Sequence, residues 1–192
     1  MAGWRKTSEP PQDGWRYLIA LGSNMRHHRH GSPERILRAA IGALDGEELG
    51  LGIAAPRMRS RPIGPSQRDY ANTVALVVSR LDPPAVLARL QVIEDDFGRR
   101  RARRWGARVL DLDIVLWSGG CWRSRGLAIP HVAFRARDFV LKPAVWLAPA
   151  WRDPCTGLTL RQLMVRNHAG KPLRARARWQ PTPRLDPEPP PP

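Results

Sequence analysis

Residues 99–117 read RRRARRWGARVLDLDIVLW, and the second half of that stretch sets the fold. Leu110, Leu112, Ile114 and Leu116 alternate with Asp111 and Asp113. Strand side chains repeat with period two. The pattern therefore predicts a strand with an apolar face and an acidic one, its two carboxylates roughly 7 Å apart along the chain. The first half is cationic: Arg99, Arg100, Arg101, Arg103, Arg104 and Arg108 surround Trp105 and Gly106. Two adjacent anions on one strand face need a partner. Hard oxygen ligands at this spacing suit Mg²⁺, which takes one or two carboxylates and fills its shell with water and substrate phosphates. Guanidinium groups suit the phosphates themselves. The stretch supports a metal-dependent phosphoryl-transfer site. The plainer reading is a solvated strand face whose aspartates pair with nearby arginines.

Upstream, Asp82-Pro83-Pro84 is a cap-then-proline signal. It predicts a helix carrying Val86, Leu87, Leu90, Ile93 and Phe97 on one side, with Gly98 as its stop. Residues 73–78 (TVALVV) read as a β-branched strand, and residues 53–59 as another. Between them, residues 60–65 (SRPIGP) form a loop stiffened by prolines. Ser32-Pro33-Glu34 opens a second helix with Ser32 as cap, and Asp45-Gly46 stops it. Residues 17–21 (YLIAL) read as a buried strand that turns at Gly22-Ser23-Asn24. Residues 50–55 (GLGIAA) imitate a dinucleotide fingerprint, but Pro56 follows where a helix should run. His27, His28 and His30 have no carboxylate or cysteine beside them in sequence, which favours a solvated loop over a metal site.

Downstream, Gly119-Gly120 turns the chain and residues 127–129 form a short strand before Pro130-His131. Residues 139–147 and 158–165 are apolar enough for two short helices. The order β-α-β-β-α-β with trailing helices is the split βαβ arrangement: α+β, a mostly antiparallel sheet with helices packed on one face. Residues 1–14 read as a flexible leader and 15–168 as the domain. Residues 169–192, rich in proline and arginine and ending in EPPPP, read as a disordered tail.

The formal net charge is +15, and the only lysines are Lys6, Lys142 and Lys171, so arginine carries nearly all of it. That balance favours an anionic partner without naming it. Cys121 and Cys155 are well separated in sequence and in no metal-binding pattern, which argues for a reducing compartment without a disulfide framework. No apolar run is long enough to span a membrane, and the N-terminus lacks a signal-peptide core. Cytoplasm is the expected location. An arginine-rich nucleic-acid binder has no use for paired aspartates. Another Mg-dependent nucleotidyl or phosphoryl transferase remains open. An ordinary P-loop kinase is excluded, because GxxxxGK is absent.

From about residue 17 to residue 165 the chain resembles the 6-hydroxymethyl-7,8-dihydropterin pyrophosphokinase family. The matching pieces are ALGSN at 20–24, RPIGP at 61–65, DYAN at 69–72, RWGARVLDLDI at 104–114, and PH at 130–131 followed by Arg137 and Phe139. The resemblance implies a ferredoxin-like fold, ATP as co-substrate, two Mg²⁺, and transfer of pyrophosphate to the hydroxymethyl oxygen of the pterin, leaving AMP. It implies Asp111 and Asp113 as metal ligands, and Arg99 and Arg108 as catalytic arginines that meet the phosphates. Gln91, Glu94, Ile114, His131 and Arg137 match the ATP surroundings. Ser60, Ile63, Tyr70, Asn72 and Phe139 match the pterin pocket, and Trp105 matches a tryptophan on the loop that closes over it. Arg100 and Arg101 have no individual match, and Val132 stands where a tyrosine is common. The implied partners are the two small-molecule substrates, with no nucleic acid and no membrane, and a monomer is expected.

Overall fold

β1 (Trp15–Ser23) lies in the middle of the sheet, antiparallel to β4 (Tyr70–Ser79) on one side and to β5 (Asp111–Trp117) on the other. The computed structural model describes residues 10–61, 68–98 and 109–170. The expectations for Ile63, Arg99, Trp105 and Arg108, and those for most of the leader and tail, fall outside these residues. β2 (Gly50–Ala54) and β3 (Met58–Ser60) both pair with β4, giving the order β2-β4-β1-β5 with β3 beside β2 on the same edge of β4. A separate ribbon joins β6 (Trp122–Ser124) to β7 (Leu127–Ile129).

The single strand expected at 53–59 is two strands. Pro56 has no N–H to give a ladder, so the chain leaves the sheet between β2 and β3. The crossing stays tethered: the Ala55 N–H donates to the Val74 carbonyl at 2.9 Å, and the Thr73 hydroxyl donates to the Ala55 carbonyl at 2.7 Å.

α1 (Pro33–Ala43) and α2 (Pro83–Asp96) pack on one face of the sheet, over Tyr17, Ile19, Leu21, Leu112 and Ile114. Helices on one face only was the expectation, but β1 and β4 are buried on both sides and both need cover. The trailing α3 (Asp138–Leu147) and α4 (Leu160–His168) supply it, over Leu18, Val74, Leu76, Val115 and Leu116. Leu116 was expected beside Leu112 and Ile114. Instead Leu18 pairs with Leu116 while Ile19 pairs with Ile114, so Val115 is an extra residue in β5. That bulge turns Leu116 to the opposite face.

The two cap signals resolve differently. Asp82 caps α2 by accepting from the Ala85 N–H at 3.0 Å. Ser32 occupies the cap position of α1 with extended backbone, but its hydroxyl makes no cap hydrogen bond. Gly98 stands just past the Phe97 cap of α2, and its φ of +75° is the left-handed conformation that glycine adopts without strain. Among the described residues, no helix is long and apolar enough to cross a membrane.

Candidate active site

Among the described residues, α3 and α4 do not cover their face of the sheet to its end. Leu21, Ala71 and Leu112 point into the α1/α2 core, so alternation sends Gly22, Asn72 and Asp111 to the other face. The register makes them a row: Asn72 pairs with Gly22, and Gly22 with Asp111. Two residues along, Val74 pairs with Ala20, and Ala20 with Asp113. Both aspartates are partly exposed beside this small-residue floor, and the Asp113 side chain is 42% exposed. A Cβ on Gly22 would stand 3.5 Å from Asn72 Oδ1, so that oxygen overhangs the floor.

Asn72 is buried and its orientation is fixed. Its amide donates to Ser60 Oγ at 2.9 Å and, at 3.4 Å, to the Tyr70 carbonyl. Both amide hydrogens are directed at protein, which leaves Oδ1 to accept from a ligand. Ser60 and Tyr70 are themselves paired across β3 and β4. Phe139, in the first turn of α3, packs against the same face, with the Arg137 guanidinium 5.8 Å from its ring centre.

His131 stands beside β5, its N–H on the Val115 carbonyl at 3.0 Å. Its Nδ1 accepts from the Ala133 N–H at 3.3 Å, which puts the neutral ring's proton on Nε2, 4.0 Å from Asp113 Oδ2. Burial pushes the imidazole pKa below its usual range, aided by Arg137 and opposed by Asp113 and Asp111.

The other residues expected to meet the nucleotide lie on the other side of the same edge strand. Glu94 is buried under β5 and accepts from the Leu112 N–H at 2.7 Å, which closes the free edge of the sheet there. Gln91 is exposed one turn earlier on α2. The Ile114 side chain is buried in the α1/α2 core, so only its backbone is left to meet a ligand. The structure thus brings Ser60, Tyr70, Asn72, Asp111, Asp113, His131, Arg137 and Phe139 to one face. It sets Gln91, Glu94 and the Ile114 side chain apart from them.

Among the described residues, no group of three or more His, Cys, Asp or Glu side chains is assembled to hold a metal. Two carboxylates suffice for Mg²⁺, whose remaining ligands come from water and phosphate, and the half-exposed pair on an open floor fits that donor set. Gly22 is the residue that sequence reasoning missed. It appears in ALGSN, but only the pairing of three strands reveals that it separates Asn72 from Asp111.

Comparison with known proteins identifies the family of the chain. The family model for 7,8-dihydro-6-hydroxymethylpterin-pyrophosphokinase matches residues 18–149. A 2-amino-4-hydroxy-6-hydroxymethyldihydropteridine pyrophosphokinase of Synechocystis is 37% identical over 158 residues, 80% of this chain and 77% of that protein. Its namesakes in Haemophilus influenzae and Pseudomonas aeruginosa are each 39% identical, over 68% and 72% of this chain and 79% and 84% of theirs. A crystal structure of Plasmodium falciparum HPPK-DHPS superposes with a TM-score of 0.62 at 12% identity, covering 79% of this chain. This chain spans 44% of that longer one, and the likeness concerns the fold alone. A sheet floor flanked by a carboxylate pair, inside a sequence that this family model matches over most of its length, places the chain in the 7,8-dihydro-6-hydroxymethylpterin-pyrophosphokinase family.

Proposed function

We infer that the chain is an enzyme, a 2-amino-4-hydroxy-6-hydroxymethyldihydropteridine diphosphokinase. It transfers pyrophosphate from ATP to 6-hydroxymethyl-7,8-dihydropterin in folate biosynthesis, releasing AMP and the pterin diphosphate. The observation that carries this reading is the row Asn72–Gly22–Asp111. It sets a fixed acceptor beside an acidic edge across a floor with no side chain.

In this reading the pterin lies over Gly22. Asn72 Oδ1 accepts from the ring's N–H edge, held in that sense by Ser60. Tyr70 and Phe139 supply apolar faces for the flat ring. Asp111 and Asp113 hold Mg²⁺, two ions, which when bound neutralises phosphate charge at the transferring group. His131 and Arg137 face the nucleotide from the α3 side, and Gln91, Glu94 and the Ile114 backbone from the α2 side. Arg99 and Arg108 are assigned to the moving phosphates, where guanidinium groups gain most as charge shifts. By the family resemblance, Ile63 is assigned to the pterin pocket and Trp105 to the loop that closes over the substrates. The catalytic unit is residues 15–168, acting as a cytoplasmic monomer. Its charge serves the phosphates of ATP, and neither nucleic acid nor membrane is a partner.

The test is AMP formation from ATP, Mg²⁺ and the hydroxymethyl-dihydropterin, followed by chromatography. AMP is expected only when the pterin is present, and chelation of the metal abolishes it. ATP cleavage independent of the pterin would defeat the reading.

A further inference from the structure

Pyrophosphoryl transfer uses neither cysteine, yet the fold brings them together. Cys121 follows the turn after β5, and Cys155 lies in the connection from α3 to α4. Although 34 positions apart in sequence, their sulfurs are 3.6 Å from each other, in contact and unbonded. Cys121 is buried and Cys155 is half-buried, so only the second is open to a solute.

A polar cluster fixes Cys155. The Arg135 guanidinium donates to both oxygens of the fully buried Asp153, at 2.8 and 2.7 Å. The same carboxylate accepts from the Thr156 hydroxyl at 2.6 Å and from the Cys155 N–H at 3.1 Å. A hydrogen bond from the Cys121 thiol, and more weakly the Arg135 guanidinium, hold the Cys155 thiol below its ordinary pKa, against burial and the Asp153 charge. The Cys121 thiol is pushed up by the same bond and by burial. Cys155 is the more exposed of the pair and inclined to ionise; Cys121 is sheltered, held protonated and within reach.

We propose that Cys121 and Cys155 form a peroxide-reactive dithiol, in which Cys155 is the attacking sulfur and Cys121 the resolving one. The Cys155 thiolate attacks one peroxide oxygen. The O–O bond breaks, hydroxide leaves and takes up a proton, and Cys155 becomes a sulfenic acid. Cys121 then attacks the Cys155 sulfur. The S–S bond forms, the S–O bond breaks, and the departing hydroxide takes the Cys121 proton as water. Two thiols and one hydrogen peroxide give one disulfide and two waters. The bond joins the end of β5 to the α3–α4 connection and encloses His131, Arg137 and Phe139. An effect on turnover therefore rests on the function inferred above, whereas the thiol chemistry does not.

The experiment treats the purified full chain with one equivalent of hydrogen peroxide and counts free thiols, with peptide mapping under non-reducing conditions. The expected result is loss of both thiols, a peptide pair joined through Cys121 and Cys155, recovery with dithiothreitol, and a melting temperature raised by roughly 5–10 °C in the oxidised form. In Cys121→Ser, dimedone should trap a sulfenic acid on Cys155; in Cys155→Ser, Cys121 should stay reduced. Retention of both thiols in the unsubstituted chain overturns the proposal. So does cross-linking only between chains, or oxidation of Cys155 beyond sulfenic acid with Cys121 untouched. These readouts need no substrate, so they separate this proposal from the pyrophosphokinase reading.

Discussion

The two ends of the central strands are built on opposite principles. At one end Trp117 packs edge-on to Trp15 at 5.0 Å and to Trp122 at 5.7 Å, and stacks with Tyr17 at 6.4 Å. The Tyr17 hydroxyl closes that end by donating to the Leu81 carbonyl at 2.6 Å. At the other end, the same strands reach Gly22, Asn72 and Asp111, of which Asn72 is buried and, among the described residues, Gly22 and Asp111 are only partly covered. Large buried rings exclude water at the first end, and the proposed chemistry lies at the second. A single strand, β5, runs from Asp111 at the open end to Trp117 at the sealed one.

Substitutions at the open end should remove activity and spare the fold. Asp111→Ala and Asp113→Ala are each expected to lower pyrophosphoryl transfer about 10³-fold or more, several kcal/mol of transition-state stabilisation. Because both side chains are partly exposed, denaturant midpoints should change little. A large loss of stability in either would mean that the pair holds the sheet rather than a ligand.

Trp117→Ala should do the reverse. It is expected to cost about 3–5 kcal/mol of stability, read by urea unfolding, while kcat per folded molecule stays near normal. A fall in kcat without a fall in stability would break the distinction between the ends.

Two glycines sharpen it. A Cβ on Gly119 would collide with the Trp117 ring, so Gly119→Ala is expected to destabilise by about 1–3 kcal/mol. A Cβ on Gly22 meets Asn72 Oδ1 only at ordinary contact distance. Gly22→Ala should therefore leave stability within about 1 kcal/mol and raise KM for the pterin, because the added methyl stands on the proposed floor.

The smallest effect is a pH dependence at the start of α3, where Asp138 pairs with Lys142 and His168. Burial works to raise the Asp138 pKa, but hydrogen bonds from His168 and Lys142 outweigh it and hold the carboxyl below its usual range. A depressed carboxylate stabilises the fold above its unfolded pKa, and that contribution fades as pH falls through the lower folded value. Asp138→Asn should thus be less stable than the unsubstituted chain near neutrality, by about 0.5 kcal/mol for so exposed a pair. The two should converge in strong acid. Urea unfolding at a series of pH values checks this, and a gap that widens in acid would refute the sign.

Much of this was legible beforehand because it is local. The period-two run after Leu110 gives β5 and the shared face of its aspartates, and Asp82-Pro83 gives the start of α2. Non-local features were not legible. The β5 bulge turns Leu116 over because β1 imposes its own register, which the sequence of β5 does not contain. Ser32 fails as a side-chain cap although its neighbours are ideal. The cysteines read as remote until α3 and α4 fold back across the sheet.

Sequence by itself determined most of the segments that extend or coil, and which residue types are available to a phosphate ligand, because dihedral preference and hydrophobic period act over a few neighbours. Tertiary structure alone decided that both sheet faces are covered, that Gly22 lies between Asn72 and Asp111, and that two distant thiols touch. Those facts depend on how strands pair and helices pack, and pairing is fixed by the burial of the whole chain at once.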